Sequence, residues 1–566
     1  METWRVNLRE QSLRREAVLP AWERLGGRSL IARILLDEVP PTCEPLGRFN
    51  KLIFAPGLLV GHMLTSLDRI SVGAKSPLTG GVKEANAGGS TGMAMALLGM
   101  KALILEDLPD GNDGWLLVLG AGGARFEPAG ELAGLGVYTA AARLLEHFGT
   151  GVAIALIGPG GEMRLASAGI QNLDKDGVPS RIAARGGLGA VMGSKHIKAI
   201  IFDPAGGEKP SLADPQAFRE AQKALTQVVL GHPQTTVYQD YGTAAMSQMC
   251  NQIGGLPTRN FSSGMFEGVE GISGEHMRDL LLERGGESQT THACMRGCSI
   301  RCSNTYAGPT GQAIVSPLEY ETIGLLGSNL GIADLDVIAR LNQEANDQGI
   351  DTIEMGAALG VAAEAGLFAF GDGEKALELL GEVRRGTPLG RILGSGAVLT
   401  GRILGVSRVP AVKGQAMSAY EPRAIKGTGV TYATSPQGAD HTSGLTIRAK
   451  VNHLRPDGQV AVSRNAQLNN AGYDSLGACL FAGFGISTQP DIIRDLLNAR
   501  YGWQVETGIL QVLGRECLLA EREFNRRAGF TQADDRLPEW MCTEPLPPHQ
   551  TVFDVPAEEL DQLFDV

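Results

Sequence analysis

Three cysteines fall within nine consecutive positions of the segment HACMRGCSIRCSN, residues 292–304: Cys294, Cys298 and Cys302. A stretch like this has to fold around something that takes several thiolates at once. The first residues, METWRVNLREQSLRRE, are charged and strand-like and contain no apolar signal region, so a cytoplasmic location is expected. Disulfides are rare in that compartment, and clustered cysteines there serve as metal ligands or catalytic thiols. Of the chain's eight cysteines, Cys43, Cys250, Cys517 and Cys542 are scattered and read as buried small hydrophobes.

Two metal chemistries compete for the cluster. Structural zinc usually takes paired CxxC knuckles, and here the spacing is Cys-x3-Cys-x3-Cys with no second pair. The remaining clue is Cys479, far downstream in DSLGACLF. Three close cysteines and one remote one fit a chain wrapped around a cubane iron–sulfur cluster, which needs one thiolate per iron. A radical-SAM motif would need CxxxCxxC early in a βα barrel, whereas this segment lies among helical patterns. His292 reads as a solvated turn residue. Arg296 and Arg301 read either as surface charge or as donors to cluster sulfurs.

With 566 residues the chain exceeds one ordinary core, and several domains are expected. No run approaches the length of an apolar membrane span. Fifty basic against sixty-two acidic residues give a net charge of −12, which argues against nonspecific nucleic-acid binding and suits a soluble enzyme or an electron-transfer partner. Residues 1–206 read as β-rich, with strands at WRVNL, NKLIFAP, RISVGA, KALILE, WLLVLG, GVAIALIG and KAIIFD. Beyond DPAGGEKPS the period changes to helical, starting with Asp214 as N-cap and Pro215 in the first turn. Further helices are predicted at GEHMRDLLLER, ADLDVIARLNQEAND, IEMGAALGVAAEAG, GEKALELLGEVRRG, LNNAGYDSLGACLFAGF, PDIIRDLLNARYG and GRECLLAEREFNRRAG. The expected organisation is α+β: a β-rich domain over 1–206, a helical domain with the cysteine cluster over 207–405, and a mainly helical domain with the fourth cysteine over 406–566. No internal repeat is visible.

Glycine is abundant, 76 of 566 residues, and two glycine-rich stretches stand out, KSPLTGGVKEANAGGSTG at 75–92 and RIAARGGLGAVMGSK at 181–195. Neither satisfies the dinucleotide or P-loop spacing. Their exposed amides, with Arg181, Arg185 and Lys195 in the second, suit a flat polyanionic ligand.

Several segments together resemble one family, the tungsten- or molybdenum-pterin aldehyde:ferredoxin oxidoreductases. They are GRFNKLIFAPGLL, RISVGAKSPLTG running into NAGGSTG, AARGGLGAVMGSK, the cysteine cluster, PLEYETIGLLGSNLGI, NDQGIDTIEMG, YEPRAIKGTGVTYATSPQGADH, DSLGAC and NRRAGFTQADDRLPEW, in the family's order and along nearly all of the chain. The resemblance implies a β-rich base and two largely helical domains closing over a bis-pterin cofactor. Its tungsten or molybdenum would be held by dithiolene sulfurs, magnesium would bridge the pterin phosphates, and a [4Fe-4S] cluster would lie beside it.

Carried over by position, Cys294, Cys298, Cys302 and Cys479 would hold the cluster, and Arg69 would stand between it and a pterin. Asn86, Gly88, Arg181, Ala183 and Arg185 would contact pterin. So would two copies of an Asp-x2-Gly-x-Asp/Cys pattern: Asp347 and Asp351, compressed around Gly349, and Asp474 with Gly477. Glu321 would serve as base, its pKa raised by burial, and His441 would donate to a substrate or metal oxygen; Glu319 competes with Glu321 for the place beside the metal. Two departures stand out. The first cysteine gap is x3 where the best-known archaeal members have x2. The Glu-x-x-His segment of an interface metal site is absent from IARLNQEAND, so no such metal is expected.

The resemblance implies oxidation of an aldehyde to a carboxylic acid, with electrons passing to ferredoxin or an iron–sulfur subunit and with a homodimer or hetero-oligomer as the assembly. Reduction of an aromatic acyl-CoA thioester is the alternative inside the family, and a zinc-stabilised scaffold the alternative outside it. A substrate funnel is expected around 256–275, 436–446 and 453–466, with Phe261 and Phe266 as its main aromatics.

Overall fold

The structure, a computed structural model, describes residues 1–564. Its N-terminal part is built from two six-stranded sheets. In spatial order the first runs Ser12–Ala17, Glu2–Asn7, Met100–Glu106, Leu52–Pro56, Ile70–Lys75, Val82–Ala87. The second runs Gly123–Pro128, Trp115–Gly120, Ile197–Asp203, Ala153–Leu156, Ile170–Asn172, Arg181–Ala183. Numbered within each unit, both read 2-1-6-3-4-5. Each has a single parallel pair, strand 1 with strand 6, and each has a bulge in that pair.

The match extends to the helices. Twelve-residue helices, Gly27–Glu38 and Val137–Phe148, follow the first hairpin of each unit. Seven-residue helices, Thr91–Leu97 and Leu188–Ser194, stand two residues before the last strand. The N-terminal part is therefore an internal repeat, contrary to the expectation from the residues alone. What the two units share is strand pattern rather than residue identity.

Period-two burial organises the layers. Leu103, Leu105, Leu117, Leu119, Ile200 and Phe202 meet in a core between the sheets, where Phe54 and Phe202 lie 6.4 Å apart. Their neighbours Ile104 and Ile201 face outward onto the helices Gly27–Glu38 and Val137–Phe148. The result is four layers: helix, sheet, sheet, helix.

All seven predicted strands form. Five more strands of these two sheets were not read, Ser12–Ala17, Val82–Ala87, Gly123–Pro128, Ile170–Asn172 and Arg181–Ala183. Both glycine-rich stretches contain an edge strand of this kind, Val82–Ala87 in one and Arg181–Ala183 in the other, and turn through glycine into a short helix. After Asp203 the chain is mostly helical. Pro215–Gly231 is capped by Asp214, whose carboxylate accepts from the Gln216 and Ala217 N–H groups. The helix predicted over 468–484 is broken: Gln459–Leu476 ends on Gly477 in the left-handed region, φ 78°, and a separate helix starts at Ala482. Among the described residues no single helix is long and apolar enough to cross a membrane.

Candidate active site

The three clustered cysteines sit on the connection of a hairpin whose strands, Gln289–His292 and Ser303–Ala307, pair His292 with Ser303 and so fix where the loop starts and ends. Two remote segments clasp it. Ser66 N–H donates to the Gly297 carbonyl at 3.0 Å, and Cys479 N–H donates to the Ser66 carbonyl at 2.9 Å. The helix end at Gly477 turns the chain so that Cys479 joins the other three, and the Gly477 carbonyl accepts from Arg69 N–H at 3.1 Å.

All four cysteines line one cavity of about 380 Å³, together with Arg69, Asn86, Gly88, Arg181, Arg185, Glu319, Glu321, Asp351, His441 and Asp474. Residues far apart in sequence thus converge on one space. Its aromatic lining comes from Tyr238, Tyr320, Tyr420, Tyr473 and Phe481. Phe261 and Phe266, expected there, are buried instead in the helical core.

Three carried-over residues do not reach the cavity. Ala183 is buried in its strand between the lining residues Ile182 and Ala184, and Gly477 contributes only backbone. Asp347 faces away: one of its oxygens accepts from Tyr138 N–H at 3.1 Å and the other pairs with Arg384 at 2.7 Å. The compressed spacing puts Asp347 on the last turn of helix Leu335–Gln348, and only Asp351, beyond Gly349, turns inward. Lys195 is likewise diverted, donating to the backbone carbonyls of Asn50 and Asp107.

At the thiol end, Gly88 allows a close approach, since a Cβ there would lie 3.1 Å from Cys294 Sγ, tighter than an ordinary contact. Cys294 and Cys298 share a hydrogen bond that favours the Cys298 thiolate, bringing its pKa down to about 5; Arg301 N–H adds a donor at 3.4 Å. Arg69 lies among these sulfurs and bonds the Asn86 side chain and carbonyl. Arg296 and Arg301 are exposed next to this loop.

A closed zinc site would gather thiolates to about 3.8 Å of one another, from bonds of about 2.3 Å in a tetrahedron. Among the described residues, the one set of three His, Cys, Asp or Glu donors within 4.8 Å of one another is Asp174, Asp176 and His292. Cys294 and Cys298 are close enough to share a hydrogen bond, but no three of the four sulfurs gather within 4.8 Å of one another, which suits a larger polynuclear group better than one tetrahedral ion.

His292 itself is buried, contrary to its reading as a solvated residue. Arg181 has only protons to offer to His292 Nδ1, at 3.2 Å, so Nε2 carries the ring proton and donates to Asp176 at 2.8 Å. That leaves no lone pair for an ion. His292 instead holds Arg181, whose Nε has no partner and stands ready for an acceptor in the cavity.

At the opposite end, Glu321 lies in the first turn of helix Tyr320–Leu326 and His441 opens a short helix capped by Asp440. Glu321 Oε2 accepts from Ala419 N–H at 2.9 Å, and Oε1 is 3.3 Å from His441 Nε2. Arg185 donates to Ser418 Oγ at 3.2 Å, and Ser418 is 2.8 Å from His441 Nδ1. Nε2 faces the Glu321 carboxylate, which can only accept, so the imidazole proton belongs on Nε2 and Nδ1 accepts from the Ser418 hydroxyl. Glu319 is elsewhere. It accepts from the Thr243 hydroxyl, and burial raises its pKa, with Cys302 and Arg181 close by.

Beneath the cavity runs a buried ionic layer that the sequence reading missed. Arg28 binds Glu521 through two bonds of 2.8 and 2.9 Å and reaches Asp474 at 3.3 Å. Lys83 pairs with Asp440 at 2.6 Å; burial disfavours the Asp440 carboxylate, but Lys83 and Arg185 hold its pKa well below the usual range. Burial, with Asp474 nearby, pushes Glu84 up to about 8, and its Oε1 has no partner. Asp440 and Glu84 were adjacent to or inside motifs already singled out, so the signal for them was present.

Residues 3–204 match the family described as "Aldehyde ferredoxin oxidoreductase, N-terminal domain", and 220–565 match "Aldehyde ferredoxin oxidoreductase, domains 2 & 3". The tungsten-containing aldehyde ferredoxin oxidoreductase of Pyrococcus abyssi is 33% identical over 573 residues, covering 96% of this chain and 91% of that protein. The protein of the same description from Thermococcus kodakarensis is 33% identical over 549 residues, covering 92% and 88%. Among solved structures, the active-site complex BamBC of benzoyl coenzyme A reductase with 1,5-dienoyl-CoA has a chain of the same fold, with TM-score 0.82 and 19% identity, covering 100% of this chain and 93% of that one. Matched along nearly its whole length, the chain belongs to the aldehyde ferredoxin oxidoreductase family of oxidoreductases.

Proposed function

We propose that the protein oxidises an aldehyde to its carboxylic acid, taking one water and releasing two electrons and two protons, at a tungsten bis-pterin centre beside a [4Fe-4S] cluster. The single observation that carries this reading is the convergence of the Glu321–His441 pair and four cysteines on one cavity. The residues suit these groups. Four spread thiols match a cubane's demand for one thiolate per iron. Arg181 Nε and Glu84 Oε1, buried and unpaired, offer polar contacts to a bound organic cofactor. Arg69, Asn86, Gly88, Arg181, Arg185, Asp351 and Asp474 would hold the pterins and the magnesium that accompanies them. When bound, the metal centre supplies a two-electron acceptor, and the cluster a one-electron relay.

The chain's own residues then divide the work. Glu321, fixed by the Ala419 N–H, accepts a proton from water or from the hydrated aldehyde at its Oε1. His441, oriented by Ser418, presents Nε2–H to the substrate oxygen as charge develops on it. Arg185 donates to Ser418 Oγ and holds that hydroxyl beside His441. Electrons leave to ferredoxin or an iron–sulfur subunit, whose acidic surface would dock on Arg296 and Arg301.

The test is Glu321→Gln in anaerobically purified protein. Tungsten and iron contents should be retained while aldehyde-dependent viologen reduction falls by roughly two to four orders of magnitude, the span of a lost general base. Glu319→Gln should do less. A reversed order of the two variants would move the base to Glu319, and consumption of an aromatic acyl-CoA in place of aldehydes would replace the reaction.

A further inference from the structure

Away from the active site, a second groove of about 760 Å³ opens beside the linker that follows the second sheet, between Trp4, Lys101, Arg500 and Trp503. Its deepest polar groups are all donors. Trp4 Nε1 and Arg500 Nη2 have no hydrogen-bond partner, although the two residues are only 1% and 3% exposed. Lys101, 6% exposed, reaches only one backbone carbonyl, that of Glu23, at 2.9 Å. Among the described residues neither Lys101 nor Arg500 has an ion-pair partner. Glu23 and Glu208 also line the groove, but both are exposed, as is Lys209.

The repeat supplies an internal control. Lys101 occupies the bulge of the first sheet's parallel pair, and Lys198 occupies the same bulge in the second. Bulges re-aim side chains, and both lysines turn out to a backbone carbonyl, Glu23 for one and Leu135 for the other. Lys198 then finds a carboxylate, Glu162. Following the chain from the paired residues Ile53 and Ile154 through the matched turns at Gly57 and Gly158, the position of Glu162 is held in the first unit by Gly61. The first unit has therefore kept the buried cation without the matching carboxylate, and the helix Asp491–Tyr501 brings Arg500 next to it.

Two buried cations with no anion between them repel each other. Burial, with Arg500 adjacent, brings the Lys101 pKa down to about 7, and burial also lowers that of Arg500. Asp68, near Arg500, is held up to about 7 by its own burial. An isolated charge in such a place is costly unless it is paired.

We propose that this groove is an anion site, in which Lys101 and Arg500 take a phosphate group, free or carried on a small molecule whose planar body lies along the tryptophan-lined wall. The phosphate supplies Lys101 with the counter-charge that the Glu162 carboxylate gives Lys198 in the second unit. A dianion suits two adjacent cations, and Trp4 Nε1 adds a neutral donor.

The holoenzyme is titrated with inorganic phosphate and with phenyl phosphate at constant ionic strength in chloride, with calorimetry and thermal unfolding as readouts. Saturable binding with one site per chain and a concentration-dependent rise in Tm are expected. Tighter binding of phenyl phosphate would assign the site to a phosphorylated small molecule, and equal binding to free phosphate. Lys101→Met should weaken binding at least tenfold while leaving the ligand-free Tm unchanged or higher. Lys198→Met should keep the binding and lower the Tm. Leu98→Glu, which brings a carboxylate to the lining and leaves Lys101 in place, should also weaken binding at least tenfold. Absence of saturable binding to the natural chain, or unchanged binding in Lys101→Met and Leu98→Glu, would overturn the proposal.

Discussion

The two sheet units share one frame and carry opposite chemistry at the edge that meets the active site. Counting back from the matched helices, Gly88 of the first unit stands where the second has Arg185; in the edge ladders Ala85, paired with Val72, stands where the second has Arg181, paired with Asn172, and Glu84 beside Ala85 lines the cavity. The first edge offers a carboxyl and bare backbone to the cavity, and the second offers two guanidinium groups. Gly88 is small because Cys294 Sγ takes the space. Arg185 is long because it spans the cavity to Ser418, the Ala439 carbonyl and Asp351. A repeated scaffold therefore fixes where a side chain starts, and the helical domain that closes over each edge decides what that side chain must be.

The strongest way to break this comparison is to impose one unit's residue on the other. Gly88→Arg should leave a folded chain without the cluster, because no arginine fits against Cys294. Iron analysis checks it, and a full iron complement would mean that the edges are interchangeable. The reciprocal direction, Arg185→Met, removes the cation that faces the buried Asp351 and Asp440. A loss of about 3–5 kcal/mol in unfolding free energy is expected, the usual cost of orphaning a buried charge. Denaturant unfolding reads it, and a neutral effect would show that Lys83 alone compensates Asp440.

A smaller effect sharpens the contrast at Glu84. Its folded pKa of about 8 lies above the ordinary value of 4.5, so the folded chain holds a proton that the unfolded chain releases. The stability this gives is present below about pH 4.5 and is lost as pH rises through about 8. Glu84→Gln should flatten that decline, and melting curves of the two proteins from pH 5 to 8.5 would then diverge with the variant on top. Parallel curves would mean that Glu84 is ionised in the fold. The smallest effect belongs to Asp347→Asn, within about 1 kcal/mol, since Asp347 makes a partly exposed pair with Arg384. Its tungsten and iron contents should be unchanged, whereas Asp351→Asn should lower tungsten.

Much of this was legible in the residues. Strands with continuous apolar runs and helices with capped ends announced themselves, as Asp214 and Pro215 did. The unread strands are short or polar, like SLRREA and VKEANA, and their place comes from ladder pairing with a neighbour that periodicity cannot identify. The repeat escaped for the same reason. Of the carried-over residues, Asp347 was diverted by the end of a helix and Ala183 and Gly477 stop short of the lining, while the others line the cavity. His292 shows another limit: its burial depends on Arg181 and Asp176, more than a hundred positions upstream.

One feature of the cysteine site bears on how the protein is made. The hairpin with Cys294, Cys298 and Cys302 is clasped by Ser66 from before it and completed by Cys479 from after it, and Arg28 of the first repeat is neutralised by Glu521, later still. During synthesis the paired sheets emerge early and can assemble, but the fourth thiol and that counter-charge leave the ribosome hundreds of residues afterwards. Any group seated among the four sulfurs can be fully held only once Cys479 has been made, which places its enclosure late in synthesis or after it.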